Sequence, residues 1–237
     1  MLKEKIFVYS TVCTGQYPII QEVFSLIIIR SENQMKSFMY LHPLIYECGI
    51  HLLYFDGLKI LKPIIGEKKE VFEPACGYGR IKRFISPSCT YSGIDLNMRF
   101  VSYGRKRHRD IKPGNIFDIA NYKPSDVIIF SDILHHLTSK NIRELFALAV
   151  RFCKEKIVIV EPQFVTFAAK KNTFSKTLGK IMAVMDYDGI NEIEKWLTED
   201  EYISLFHDIK KSNSIDRMEI RKFRRHYFVE MFMNGNK

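Results

Sequence analysis

The chain has 237 residues, 46% of them hydrophobic and 27% charged, which excludes wholesale disorder and allows one large domain, or one domain with an added lobe, but not two. Lysine and arginine number 36 against 27 acidic residues, a net charge of +9 that suits polyanions or anionic membrane surfaces and says nothing about fold. Cys13, Cys48, Cys76, Cys89 and Cys153 lie far apart, odd in number and with no CxxC pair, which argues against a disulfide framework and a cysteine zinc site, and a reducing, cytoplasmic compartment is expected.

Residues 1–66 read as an N-terminal helical extension or lid, because Phe38, Leu41, Leu44, Ile45, Leu52 and Phe55 recur at steps of three and four. The longest apolar block, Ile19 to Ile29, holds Gln21 and Glu22 and stops at Arg30, too short and too polar to span a bilayer. Pro63 and Gly66 punctuate the chain, and residues 67–237 form the second unit. Short apolar runs follow at Val71-Phe72, Tyr91 to Ile94, Val127 to Phe130 and Ile157 to Val160. The last two are continuous, as strands covered on both faces are. A helix-like stretch, Asn141 to Cys153, lies between them and predicts a right-handed parallel crossover. Thr198-Glu199-Asp200-Glu201 is a capping box that opens a further helix. Met218 to Phe223 and His226 to Met233 read as sheet-edge strands.

Chemistry concentrates in Glu73-Pro74-Ala75-Cys76-Gly77-Tyr78-Gly79, directly after a strand and before a helix-like Arg80 to Ile85. Small residues at 75, 77 and 79 let the backbone turn tightly and approach a ligand, and the amides that follow aim at the same place. A dinucleotide fingerprint needs a glycine at position 82, which is Lys82, and an acid at 73 repels a pyrophosphate; a nicotinamide-dependent enzyme is therefore disfavoured. Asp95, closing the next strand in Gly93-Ile94-Asp95, can accept from both hydroxyls of a ribose; the alternative is that it caps the helix starting near Met98.

With EPACGYGR, GIDLN, PGNIFD, SDVIIFSDILHHL and KIVIVEP in this order, the sequence resembles the class I S-adenosylmethionine-dependent methyltransferases over roughly residues 67–165, most closely the small-molecule branch. The resemblance implies an α/β fold: a Rossmann-like, seven-stranded, mostly parallel sheet with an antiparallel last strand and helices on both faces. It implies that Glu73, Ala75, Gly77 and Gly79 line the methionine end of S-adenosylmethionine. Asp95 would hold the ribose, Leu96, Asn115 and Ile116 would surround the adenine, and Ser131 would lie beneath the methionine portion. Ala75 and Asn115 depart from the family pattern; alanine suits a negative φ, and the Asn115 amide oxygen can accept from the adenine amino group.

His135 and His136 follow the fourth strand of that pattern, where an imidazole can take a proton from the acceptor; His136 is the expected base, and helix capping or packing is the alternative. No histidine has metal-ligand spacing, and Asp186 to Asn191 fails as a calcium loop because Val184 and Lys195 stand at required ligand positions. The segment 163–200 is expected to form a substrate lid, with Phe164, Phe167, Tyr187 and Trp196 in it. The runs Arg105 to Arg109 and Arg221 to Tyr227 suit phosphate contact, or else are solvated faces. The reading is a methyltransferase acting on a small organic or lipid-like acceptor, with peripheral membrane contact open. The alternatives are an RNA or DNA methyltransferase and a non-catalytic module that binds S-adenosylmethionine.

Overall fold

A computed structural model of the protein describes residues 28–31, 34–37, 43, 46, 47, 55–107, 109–163, 197–224 and 226–235. Of the helices expected before residue 54, only residues 43, 46 and 47 are described, and these are helical; the four lid residues Phe164, Phe167, Tyr187 and Trp196 and the loop at 186–191 lie outside the described residues. Within the first part, β1 (Ile28–Ser31) and β2 (Gln34–Ser37) pair antiparallel.

The main sheet has seven strands: β3 (Glu70–Pro74), β4 (Thr90–Asp95), β5 (Ile111–Pro113), β6 (Ser125–Ser131), β7 (Cys153–Pro162), β8 (Ile215–Phe223) and β9 (His226–Met233). Their spatial order is β5-β4-β3-β6-β7-β9-β8. All neighbours run parallel except β9, which is antiparallel to both β7 and β8. This is the expected sheet with its antiparallel last strand. One correction concerns β9: it is not an edge strand but sits between β7 and β8, with Phe228, Val229 and Met231 buried.

The central strands are apolar because both faces are covered. Val127 to Phe130 and Ile157 to Val160 are fully buried, and alternate residues enter two separate cores. On one face pack α1 (Leu61–Ile65) and α2 (Met98–Arg105), through Leu61, Ile64, Ile65 and Val101. Leu58 joins the same cluster, so residues just before Gly66 belong to the core of the main sheet. On the other face pack α3 (Ser139–Ala149) and α4 (Glu199–Ser212), through Ile142, Leu145, Phe146, Tyr202, Leu205 and Phe206. Each such side chain contributes roughly 1.5–3 kcal/mol of burial.

Caps fix where these helices begin. Thr138 accepts from Asn141 N at 3.2 Å to start α3, so neither histidine caps that helix. The capping box at Thr198 and Glu201 is present with both of its bonds. Helix α3 stops at Ala149 rather than running to Cys153, because Cys153 already pairs with Ser125 in the sheet. The helix expected at Arg80 to Ile85 is a 3₁₀ helix over Arg80–Arg83.

Candidate active site

All the parallel strands of the sheet deliver their carboxyl ends to one edge, and the order reverses between β3 and β6, where doubly wound folds bind ligands. The turn after β3 occupies this place. Its Gly77 (φ 55°) and Gly79 (φ 75°) are left-handed, which any larger residue adopts only under strain. Gly93 on β4 lets that turn lie close, since a Cβ there would come within 2.7 Å of Cys76. Cys76 N then donates to Ile94 O at 2.9 Å.

The result is that Asp95 meets the glycine turn directly. Gly77 N donates to Asp95 Oδ2 at 2.7 Å, and Asn97 N donates to Asp95 Oδ1 at 2.7 Å. The helix cap of α2 is Asn97, which accepts from Arg99 N at 3.1 Å. Asp95 is therefore the tie between two loops rather than the cap. A carboxylate oxygen has more than one acceptor site, so a ligand hydroxyl can share Asp95 with these amides.

Ala75 also has a positive φ, 57°, which corrects the expectation of a negative one. A left-handed alanine costs about 1–2 kcal/mol, partly offset in a comparison with glycine by the extra freedom glycine gives the unfolded chain. Ala75→Gly is accordingly expected to raise the unfolding free energy by roughly 0.5–1 kcal/mol, read from urea denaturation; an unchanged or lower midpoint would mean the strain is absent.

Glu73 points inward. It is 2% exposed and accepts a hydrogen bond from the buried Tyr91 hydroxyl. Burial pushes its carboxyl well above the usual carboxylate range, and the Asp132 and Asp95 charges add to this, against the pull of the Tyr91 bond. Buried against Tyr91, the Glu73 carboxyl is not presented to a ligand, so its repulsion of a pyrophosphate no longer argues against a dinucleotide. Lys82 still stands where the fingerprint needs glycine, and its ammonium bonds Cys89 O at 2.8 Å.

The remaining predicted residues ring the same edge. Leu96, directly after Asp95, is 50% exposed and offers an apolar surface. Gly114 N donates to Asp95 O at 3.1 Å, which brings the loop carrying Asn115 and Ile116 beside β4. The Asn115 amide oxygen accepts from Phe117 N at 3.0 Å, closing a local turn, and Ile116 is buried. Ser131 ends β6, half-buried, and Asp132 turns the chain with φ 53°.

The turn beyond Asp132 is held by a residue that the motif reading did not single out. Glu161, near the tip of β7 and 5% exposed, accepts from Ile133 N at 3.0 Å and Leu134 N at 2.8 Å. Its other oxygen lies 2.6 Å from His135 Nδ1. Because a carboxylate only accepts, the Nδ1 proton is fixed and Nε2 becomes the acceptor nitrogen of a neutral His135. His136 is equally buried, its ring centroid 4.3 Å from that of His135. An acid ending an otherwise apolar buried strand was the available signal for Glu161.

The basic runs are largely committed within the chain. Arg105 Nε bonds Ile111 O at 2.8 Å, Arg107 stacks 3.6 Å above the Tyr103 ring, and buried Arg109 bonds Tyr78 O at 2.6 Å. Arg221 pairs with Glu219 and Glu230, and Lys222 with Glu199. Among the described residues, no helix is long and apolar enough to cross a membrane, and no cluster of three or more His, Cys, Asp or Glu is arranged to hold a metal.

No protein-family profile and no curated protein matches the sequence. Solved structures do match by shape. An O-methyltransferase family protein from Burkholderia thailandensis is 14% identical with a TM-score of 0.57, over 81% of this chain and 57% of its own. Human N-acetylserotonin methyltransferase, solved in complex with S-adenosylmethionine, is 14% identical with a TM-score of 0.58, over 81% of this chain and 56% of its own. A methyltransferase from Thermotoga maritima, dependent on the same compound, is 10% identical with a TM-score of 0.59, over 82% of this chain and 97% of its own. The chain thus spans less than two thirds of the first two proteins' length. At these identities the likeness is one of architecture: the chain has the fold of the class I S-adenosylmethionine-dependent methyltransferases.

Proposed function

We propose that the protein is an S-adenosylmethionine-dependent methyltransferase acting on a small organic or lipid-like acceptor. The observation that carries this reading is the 2.7 Å bond from Gly77 N to Asp95 Oδ2 at the carboxyl edge of the sheet. It joins the two elements that a nucleoside needs: a backbone able to approach closely and a carboxylate able to accept from ribose.

The residues present fit the cofactor. Asp95 would take the ribose hydroxyls, and Leu96, Asn115 and Ile116 the adenine. The backbone of Ala75, Gly77 and Gly79, with Ser131 opposite, would hold the amino-acid end. Glu73, buried and bonded to Tyr91, would support the turn from beneath. When bound, S-adenosylmethionine supplies a methyl group already activated by its sulfonium sulfur. The chain's task is then alignment and exclusion of water, and ordering two reactants alone can supply about 7–11 kcal/mol of a barrier. His135, oriented by Glu161, and His136 beside it are the candidates to take a proton from a hydroxyl or amine acceptor.

A small acceptor is favoured over nucleic acid because the cations of both basic runs are so largely paired or stacked within the chain. Incubation with methyl-labelled S-adenosylmethionine and fractionated cell extract tests this reading. Label is expected in the low-molecular-mass or lipid fractions. Label confined to RNA or DNA would overturn the acceptor class, and cofactor binding without transfer to any fraction would overturn catalysis.

A further inference from the structure

Strand β8 ends the seven-stranded sheet, and among the described residues no strand pairs with its outer side. On its inner side Phe223 stands opposite His226, so two residues connect β8 to β9. The closing pair of such a hairpin is hydrogen-bonded, which turns the backbone groups of Arg217, Glu219, Arg221 and Phe223 toward β9. The backbone groups of Met218, Ile220 and Lys222 therefore face outward. The register is unbroken from Arg217 to Phe223, and the one irregularity lies before Arg217, so the outward groups form a regular row.

Proteins blunt open edges with charges, prolines or bulges. Residues 217–223 contain no proline, and their charges have both signs. Whether those charges block a second strand or guide one depends on register. The Arg217, Arg221 and Lys222 side chains are 60%, 49% and 51% exposed, and Phe223 is 37% exposed, so all four are open to a partner.

A second copy of β8, laid antiparallel, separates the registers. Centred on Glu219, the pair sets Arg217 opposite Arg221 and Glu219 opposite itself. Centred on Arg221, it sets two guanidiniums face to face. Centred between two residues, it opposes an outward-facing residue to an inward-facing one and forms no ladder. Centred on Ile220, it places Glu219 opposite Arg221 twice, Arg217 opposite Phe223 twice, and Ile220 opposite itself. The outward amides and carbonyls of 218, 220 and 222 then match each other.

We propose that β8 pairs antiparallel with β8 of a second copy of this chain, about Ile220, continuing the sheet across a twofold axis. Met218 and Ile220, already packed against the core beneath α4, gain further cover there. Few residues meet, and the net charge of +9 on each copy opposes association, so the affinity is modest, roughly 10 μM. Strands β7 and β9 separate this edge from the crevice between β3 and β6, and the inference stands on the edge strand alone, whatever the reaction at the Asp95 turn.

Sedimentation velocity of the full chain from about 1 to 100 μM tests the proposal, and the mass is expected to double across that range. Glu219→Lys sets like charges at both crossings and should leave a monomer at 100 μM; because the ion pairs it removes are exposed, its melting temperature should stay close to that of the natural chain. Ile220→Cys should form an intermolecular 220–220 disulfide under mild oxidation, mapped by mass spectrometry, since facing Cα atoms in a hydrogen-bonded pair lie about 5.5 Å apart. Glu219→Cys, whose two copies are offset in this register, should not. A natural chain that stays monomeric at 100 μM, a Glu219→Lys variant that still dimerises, or equal cross-linking of the two cysteine variants overturns the inference.

Discussion

Asp95→Ala is expected to weaken binding of S-adenosylmethionine at least about 100-fold, measured by equilibrium dialysis with labelled compound. Two charge-assisted bonds to ribose hydroxyls, each worth about 1.5–3 kcal/mol, set that magnitude. The same change removes the acceptor for Gly77 N and Asn97 N, so it also loosens the turn that presents the backbone amides. Asp95→Asn separates the two effects. It retains one oxygen to accept and loses the charge, so it should fall between the natural chain and the alanine variant. Undiminished affinity in Asp95→Ala would remove Asp95 from the site.

Glu161→Ala should be the most destabilising change near the crevice. It strands two backbone amides and an imidazole in a buried setting, and removing one member of such a buried network costs about 3–5 kcal/mol. For a chain of this size that corresponds to a melting temperature lower by roughly 10 °C. Glu161→Gln distinguishes packing from chemistry. Its amide oxygen can still accept from Ile133 N and Leu134 N, but its NH₂ group facing His135 forces the proton from Nδ1 to Nε2. Stability should drop by only about 1–2 kcal/mol, while the turnover rate falls more than tenfold with KM for the cofactor unchanged. Equal turnover in Glu161→Gln and the natural chain would exclude His135 as a base and leave Glu161 a structural tie.

Much of the fold was legible because its signals are local. Continuous apolar runs at 127–130 and 157–160 announce strands covered on both faces, and Thr198 with Glu201 announces a helix start. The geometry at the carboxyl edge was legible for a related reason: a tight turn needs small residues, and Gly93 lets that turn lie against the strand that ends in Asp95. Strand β5 escaped notice because three residues ending in Pro113 carry no period; as an edge strand it tolerates the proline.

What stayed hidden depends on groups brought together from distant parts of the chain. The inward turn of Glu73 requires Tyr91, which the register of β3 against β4 brings within reach. The sign of φ at Ala75 follows from the path of the whole turn, not from the size of its residues. Glu161 finds its partners on a different loop, and Arg109 its acceptor on Tyr78 O, so neither a lone acid nor a charge run disclosed its role. The lid reading for 163–200 remains a proposal for the residues around Tyr187 and Trp196.

The most direct measurement is the amide spectrum of the protein during addition of S-adenosylhomocysteine. If the turn at Gly77 and the carboxylate of Asp95 bound a nucleoside together, the Gly77, Gly79 and Asn97 amides would shift together and saturate at one equivalent. A ligand that fails to bind, or that binds while those three amides stay in place, would contradict the account.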